Sequence, residues 1–443
     1  MLSDCNFTNC HSIVEGGAIS SGINYGEYSS GDNDFAFRYC NFVGCESGVG
    51  GGLYFQDGTP NGDEETWIES YTFNNCYATK CEDYAVSCRS YKIKFVKNTF
   101  TKHKRADIKM IDNSIVYIET NEKEVSPEID SLIFNDNTGV SGLIVRSLKL
   151  TTISNILFNK TADNSPCINL DKWATNDVII ENSTFSNILN ARCIVTTTPI
   201  TTFQAIVRNC QLIGNSIRKN DREKVFYTGC GASILYLDHG NLVVENCNFT
   251  NNLAEADGCA VYVETNALEL SSCIFELCSA APYDENGRSC VIYLNQTSNG
   301  DFEFSNGYKF INCSASHSGV GLFIYCRDVI TSKSTRESDS MEYMIFISSC
   351  EFTDCNSLVE DGAISSGLIN EETKLTEGDN DLMVSDCKFT RCESAKDGAM
   401  YFQDGTKIGD EETRIYTSTF DNCYVTSDSH EGYAIHCRSY QIE

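Results

Sequence analysis

The chain has 443 residues, more than one globular core usually holds, so it is either several domains or an array of repeats. Hydrophobic residues make up 41% and charged residues 21%, which supplies a packed interior and excludes general disorder. The formal net charge of −29 sets the average surface against phosphate and so against nucleic acid as a partner; no apolar run nears the roughly 18 residues that span a bilayer.

From the N-terminus, Met1-Leu2-Ser3-Asp4-Cys5 has no basic stretch leading into an apolar one, and Cys5 already stands inside a repeat. Ser439-Tyr440-Gln441-Ile442-Glu443 stops in mid-pattern, so the expectation is a fragment of a longer protein with its signal and anchor elsewhere.

The repeat is an aromatic followed by a short polar turn, as in Cys5-Asn6-Phe7-Thr8-Asn9-Cys10 and Cys40-Asn41-Phe42-Val43-Gly44-Cys45. In chain order the equivalents are Phe7, Phe42, Phe73, Phe100, Phe134, Phe158, Phe185, Leu212, Phe249, Phe275, Phe310, Phe352, Phe389 and Phe420, about 32 residues apart on average. The closest pair, Phe134 and Phe158, is 24 residues apart, about what a coil of three short strands and three turns requires. Before the aromatic the pattern alternates: in Leu242 to Phe249, Cys247 and Phe249 share one face while Asn246 and Asn248 share the other. No window carries a sustained helical stripe with caps, and strands this short must stack on their equivalents. The expected fold is therefore all-β, a right-handed parallel β-helix of about fourteen coils with pectin-lyase-like architecture, forming a single solenoid over residues 1–443.

A second marker follows each aromatic by several residues: Gly16-Gly17-Ala18-Ile19, Asp257-Gly258-Cys259-Ala260-Val261, Asp361-Gly362-Ala363-Ile364 and Asp397-Gly398-Ala399-Met400. Glycine fits where the chain turns sharply into a strand or passes close to its neighbour. Together, Gly-Gly-Ala-aliphatic and Phe-x-x-Asn resemble the repeat of chlamydial polymorphic membrane proteins and of similar trichomonad surface proteins. That resemblance covers nearly the whole chain and implies a right-handed parallel β-helix in a stalk concerned with adhesion or immune exposure. The Asn of the second motif is present as Asn137, Asn215 and Asn252; in eight other coils the position holds Cys10, Cys45, Cys76, Cys278, Cys313, Cys355, Cys392 and Cys423.

Of 24 cysteines, those eight stand three residues after the aromatic and seven more (Cys5, Cys40, Cys210, Cys247, Cys273, Cys350 and Cys387) stand two before it, on its inward face. Coils about 4.8 Å apart place paired cysteines within Cα range of a disulfide, while in-register side chains lie alongside rather than toward each other. A stapled extracellular stack and a ladder of buried thiols both remain open. Residues 89–166 hold no cysteine, so the aromatic stack carries much of the stability there.

Residues 1–94 and 346–443 are near-copies that share loop sequence as well as core, including Gly-Asp-Asn-Asp at 31–34 and 378–381 and Gly-Asp-Glu-Glu-Thr at 62–66 and 409–413. Their Asp32, Asp34, Asp63, Asp379, Asp381 and Asp410 offer oxygen ligands such as calcium prefers, but EF-hand and nonapeptide spacing are both missing, which favours a solvated acidic loop over a calcium site. No other cofactor is implied. Sequons stand at Asn6, Asn159, Asn182, Asn248, Asn295 and Asn312, open to glycosylation in a secretory path.

Two functions fit such a chain. One is a non-catalytic, secreted or cell-surface repeat scaffold for adhesion or display, its partner a protein or glycan on a host or neighbouring cell. The other is a polysaccharide-acting lyase or hydrolase. Against the second, no Asp-Asp pair, Gly-His-Gly or Arg-Ile-Lys occurs, and Leu237-Asp238-His239-Gly240 has no Arg-rich companion. The inserted segments 20–37, 57–70, 327–343 and 366–381 are where displayed chemistry is expected.

Overall fold

Two corners shape every coil. The residue three before the ladder aromatic has a left-handed backbone in all fourteen coils, from Asp4 (φ 58°) to Thr417 (φ 45°), and so has the residue two after it, from Asn9 (φ 52°) to Asn422 (φ 53°). Asn, Asp or Gly fills 17 of these 28 positions, the residues for which this conformation is least costly. Between the corners lies a strand of three residues with the ring at its centre.

The structure is a computed structural model. It describes the chain apart from residues 1, 23–34, 57–64, 80–84, 105–113, 121–124, 148, 163–165, 171–176, 197–203, 218–232, 238–239, 256–257, 266, 281–290, 297–301, 306, 317–319, 327–342, 359–361, 368–379, 396–397, 404–411, 427–433, 439–440 and 443. Among the described residues it is all β, a parallel β-helix without α-helix, and it divides into two compact units.

The first unit comprises Met1–Thr196 with Phe203–Gln211. Its ring-bearing sheet stacks Asn6–Thr8, Asn41–Val43, Thr72–Asn74, Thr99–Thr101, Ile133–Asn135, Leu157–Asn159 and Thr184–Ser186. A second sheet, from Leu2–Ser3 to Gln204–Arg208, precedes the first corner of each coil, and a third, from Ile19–Gly22 to Ile194–Thr196, follows the small-residue marker. Pairing is parallel and in register: Phe100 lies opposite Phe73 and Phe134, and Leu143 opposite Val116 and Ile168.

The second unit, Thr197–Thr202 with Leu212–Glu443, repeats the plan. Its ring-bearing strands run from Asn248–Thr250 to Thr419–Asp421. Both units also carry a fourth set of two-residue strands, Glu46–Ser47 with Tyr77–Ala78 in the first and Ser216–Ile217 to Tyr424–Val425 in the second, where three strands per coil were expected. The near-copies fold alike: Ile19–Gly22 and Ile364–Gly367 both lie in the sheet that follows the small-residue marker, each within its own unit.

Register dictates the core. Rungs about 4.8 Å apart leave identical rings no option but to lie on one another. In the first unit neighbouring rings lie 4.4 Å (Phe134, Phe158) to 5.4 Å (Phe158, Phe185) apart, and in the second Phe249 and Phe275 stack at 4.8 Å with planes 14° apart. Face-to-face stacking is not the geometry two free rings prefer, so burial and backbone pairing impose it. Each buried Phe contributes roughly 1.5–3 kcal/mol before entropy is subtracted. The marker glycines fit this core: Gly16 (φ 53°) makes the turn, and a Cβ on Gly142 would overlap the Phe158 ring.

The segment before the aromatic differs from the alternating strand expected of it. Asn241–Glu245 and Asn248–Thr250 belong to different sheets, parted by the corner at Asn246 (φ 50°). Inward and outward positions still alternate, with Cys247 and Phe249 buried and Asn246 and Asn248 exposed, because a single left-handed residue turns the chain without exchanging its faces.

Candidate functional site

The two interior ladders hold fifteen of the chain's 24 cysteines, and the stack engages the side chains at these positions. Three residues after the ring, Asn252 donates through Nδ2 to the carbonyl of Leu212 at 2.9 Å, and its Oδ1 accepts from the amide of Asn215 at 3.1 Å. Asn137 does the same between Phe100 O (3.3 Å) and the amide of His103 (3.0 Å). Where the position is cysteine, the thiol takes over the donor half. Cys45 Sγ reaches Phe7 O at 3.6 Å, Cys278 reaches Phe249 O at 3.4 Å, Cys313 reaches Phe275 O at 3.4 Å and Cys392 reaches Phe352 O at 3.6 Å.

The inward position two before the ring behaves likewise. Cys210 Sγ contacts Ile180 O at 3.7 Å and Cys273 contacts Val244 O at 3.5 Å, while Asn98 stands in the same place and donates to Ile68 O at 3.0 Å. Each of these thiols is a weak donor set against a carbonyl of the coil beside it. Nineteen described cysteines stand as thiols; Cys5, Cys10 and Cys423 are half-buried and the rest buried. Burial raises the pKa of Cys167 and Cys355 above that of an ordinary thiol.

His103 fills the same turn position one coil from Asn137. Its Nδ1 lies 2.8 Å from Cys76 O and its Nε2 3.2 Å from Phe73 O, within a fully buried site. Burial lowers its pKa to about 4, so the ring is neutral at pH 7 and its single N–H serves one carbonyl.

Outside, charges of adjacent coils neutralise each other. Arg89 pairs with Glu119 at 2.6 Å, Arg208 with Glu181 at 2.7 Å and Lys94 with Glu128 at 3.0 Å. Glu65, at the edge of one acidic loop, is held by Lys92 at 2.7 Å. Trp67 lies between Arg38 and Lys94, each cation about 5.5 Å from its ring.

Of the calcium candidates, Asp32, Asp34, Asp63, Asp379 and Asp410 lie outside the described residues; Asp381 is in the strand Asn380–Ser385, with its side chain outside them. His239 is outside them too. Among the described residues no group of three or more metal-ligating side chains converges, and no helix is long and apolar enough to cross a membrane. Four sequons, at Asn6, Asn182, Asn248 and Asn312, are exposed. Asn159 is half-buried and bonds to Asn135 at 2.8 Å, and the side chain of Asn295 lies outside the described residues.

Sequence reasoning found both ladders and the polar turn after the ring, and missed the left-handed corner residues and His103. The corner signal was present as Asn, Asp or Gly directly before the ladder cysteine or asparagine. His103 occupies a ladder position but belongs to neither residue type sought there. Comparison with family models, with curated proteins and with solved structures finds no match to this chain.

Proposed function

We propose that the chain is a non-catalytic repeat scaffold, secreted or held at a cell surface, that serves adhesion or display in the manner of the chlamydial and trichomonad surface proteins its repeat resembles. One observation carries this reading: thiols, amides and the buried imidazole are engaged coil to coil as structural hydrogen bonds, as with Asn252 to Leu212 and Cys278 to Phe249. Catalysis needs such groups aimed at a reacting atom, whereas a scaffold needs them aimed at the next coil. Stacked repeats also offer a regular surface, which suits contact with a partner on a host or neighbouring cell.

The test has two arms. Antibody against the chain, applied to intact producing cells, labels their exterior, and the fluorescent purified chain binds saturably to host or neighbouring cells. Release of reducing or unsaturated sugar ends from polygalacturonate by the same preparation would overturn the non-catalytic reading, and labelling only after permeabilisation would overturn the location.

A further inference from the structure

In the first unit the sheet that points its rings inward presents its other side to solvent, two side chains per coil from the seven strands Asn6–Thr8 through Thr184–Ser186. Every one of these outward side chains is uncharged. Most are hydroxyls and amides, with Val43, Ile133 and Leu157 among them, and all are exposed or half-exposed, Ile133 at 39%. Charge begins only at the corners, with Lys97, Lys102 and Lys160 among them. The unbroken register sets the side chains on a grid about 4.8 Å between coils and about 6.6 Å along each strand, over a length of about 29 Å.

The fold does not require this neutrality. In the second unit the equivalent sheet, on its own ring stack, carries Glu276, Lys309, Glu351, Lys388 or Asp421 on five of its six strands from Asn248–Thr250 to Thr419–Asp421. The near-copies make the contrast position by position: Asn6, Asn41 and Asn74 of the first stand where Glu351, Lys388 and Asp421 stand in the second. Charge in the second unit is even useful to the stack, since Lys309 and Glu351 pair across coils at 3.0 Å. In a chain of net charge −29, a face kept free of charge needs another reason.

We infer that this charge-free face of the first unit docks an uncharged, extended polysaccharide. The inference rests on the scaffold reading and names the partner for its adhesion. A neutral face neither repels such a ligand nor favours an ionic competitor, and hydroxyls and amides both donate and accept, as sugar hydroxyls do. Cross-coil bonds already orient several of them: Asn41 donates to Asn6 at 2.9 Å and Asn159 to Asn135 at 2.8 Å, which lowers the ordering cost of binding. Val43, Ile133 and Leu157 supply apolar contact for the C–H faces of sugar rings.

The full chain is sedimented with microcrystalline cellulose, insoluble chitin and insoluble β-1,3-glucan. Retention on at least one of the three is expected. The double variant Thr99→Lys/Thr101→Glu should weaken that retention at least tenfold, while Thr353→Lys in the second unit, on the strand that already carries Glu351, leaves it unchanged. Circular dichroism checks folding, and Thr72→Lys on the neighbouring strand gives an independent variant with the same expected direction. No retention on any of the three, or equal retention of the face variants, overturns the inference. Cell binding that persists without polysaccharide retention would leave the scaffold reading standing alone; sugar release together with retention would overturn the non-catalytic reading and leave the docking face.

Discussion

Asn252 and Leu212 are joined by a hydrogen bond between coils, from Nδ2 to the backbone carbonyl at 2.9 Å, and cysteine stands in for that asparagine elsewhere in the stack. The replacement is half complete, because a thiol donates to the carbonyl but offers no oxygen to the amide that Asn252 receives from Asn215 at 3.1 Å. Asn252→Cys should therefore cost about 1–2 kcal/mol, the penalty for one buried amide left unmatched. Asn252→Ala, which strands the carbonyl as well, should cost at least about 1 kcal/mol more. Urea unfolding midpoints at pH 7 under reducing conditions read both, and an alanine variant as stable as the native chain would show that these bonds contribute nothing.

His103 makes the first unit sensitive to acid. Its folded pKa of about 4 lies below the value of about 6.5 for a free imidazole, so the unfolded chain takes up the proton first. The stability tied to this group is complete above pH 6.5 or so and is lost as pH falls toward 4, up to about 3 kcal/mol. His103→Asn places at this position the residue that Asn137 already represents one coil away, with no titrating group. The variant should hold its unfolding midpoint better than the native chain between pH 6.5 and 4, and parallel pH profiles would refute the assignment.

The ladders were legible because in-register stacking rewards the same residue type in every coil, so Phe7 to Phe420 and the paired cysteines repeat visibly along the chain. The small-residue marker was legible for a similar reason, since a Cβ on Gly142 would overlap the Phe158 ring. The corners were not. Left-handed backbone is cheapest for Asn, Asp and Gly, yet Tyr39, Lys97, Leu277 and Arg391 also adopt it, so no single residue type marks the place. The neutral face was hidden differently: its meaning lies in a contrast between equivalent sheets of the two units, and neither stretch shows it alone.

Leu277 tests the corners directly. Its φ is 54° and its side chain is 50% exposed, so the branch gains little packing to offset a conformation that costs roughly 1 kcal/mol or more for such a residue. Asn251 and Asn312 hold the equivalent corner in the flanking coils. Leu277→Asn should therefore raise stability by about 0.5–1 kcal/mol, seen as a higher urea midpoint with an unchanged slope. A lower midpoint would mean that the side chain packs against something that outweighs the backbone.

Burial orders the reactivity of the thiols. Because the thiolate is the nucleophile, a thiol whose pKa is raised by burial, as at Cys167 and Cys355, is shielded both by access and by protonation. Half-buried Cys5, Cys10 and Cys423 lack the first protection. Brief alkylation of the folded chain followed by peptide mass spectrometry should modify those three first, and Cys167, Cys278 and Cys313 only at the rate of unfolding. The same reagent added in denaturant to protein never exposed to reductant should then reach nearly all 24 cysteines if the thiol ladder persists in the isolated protein. Recovery of about half or fewer would mean that neighbouring coils have been bridged, and each bridge formed in the turn ladder would remove the donors that Cys278 and Cys313 direct at Phe249 O and Phe275 O.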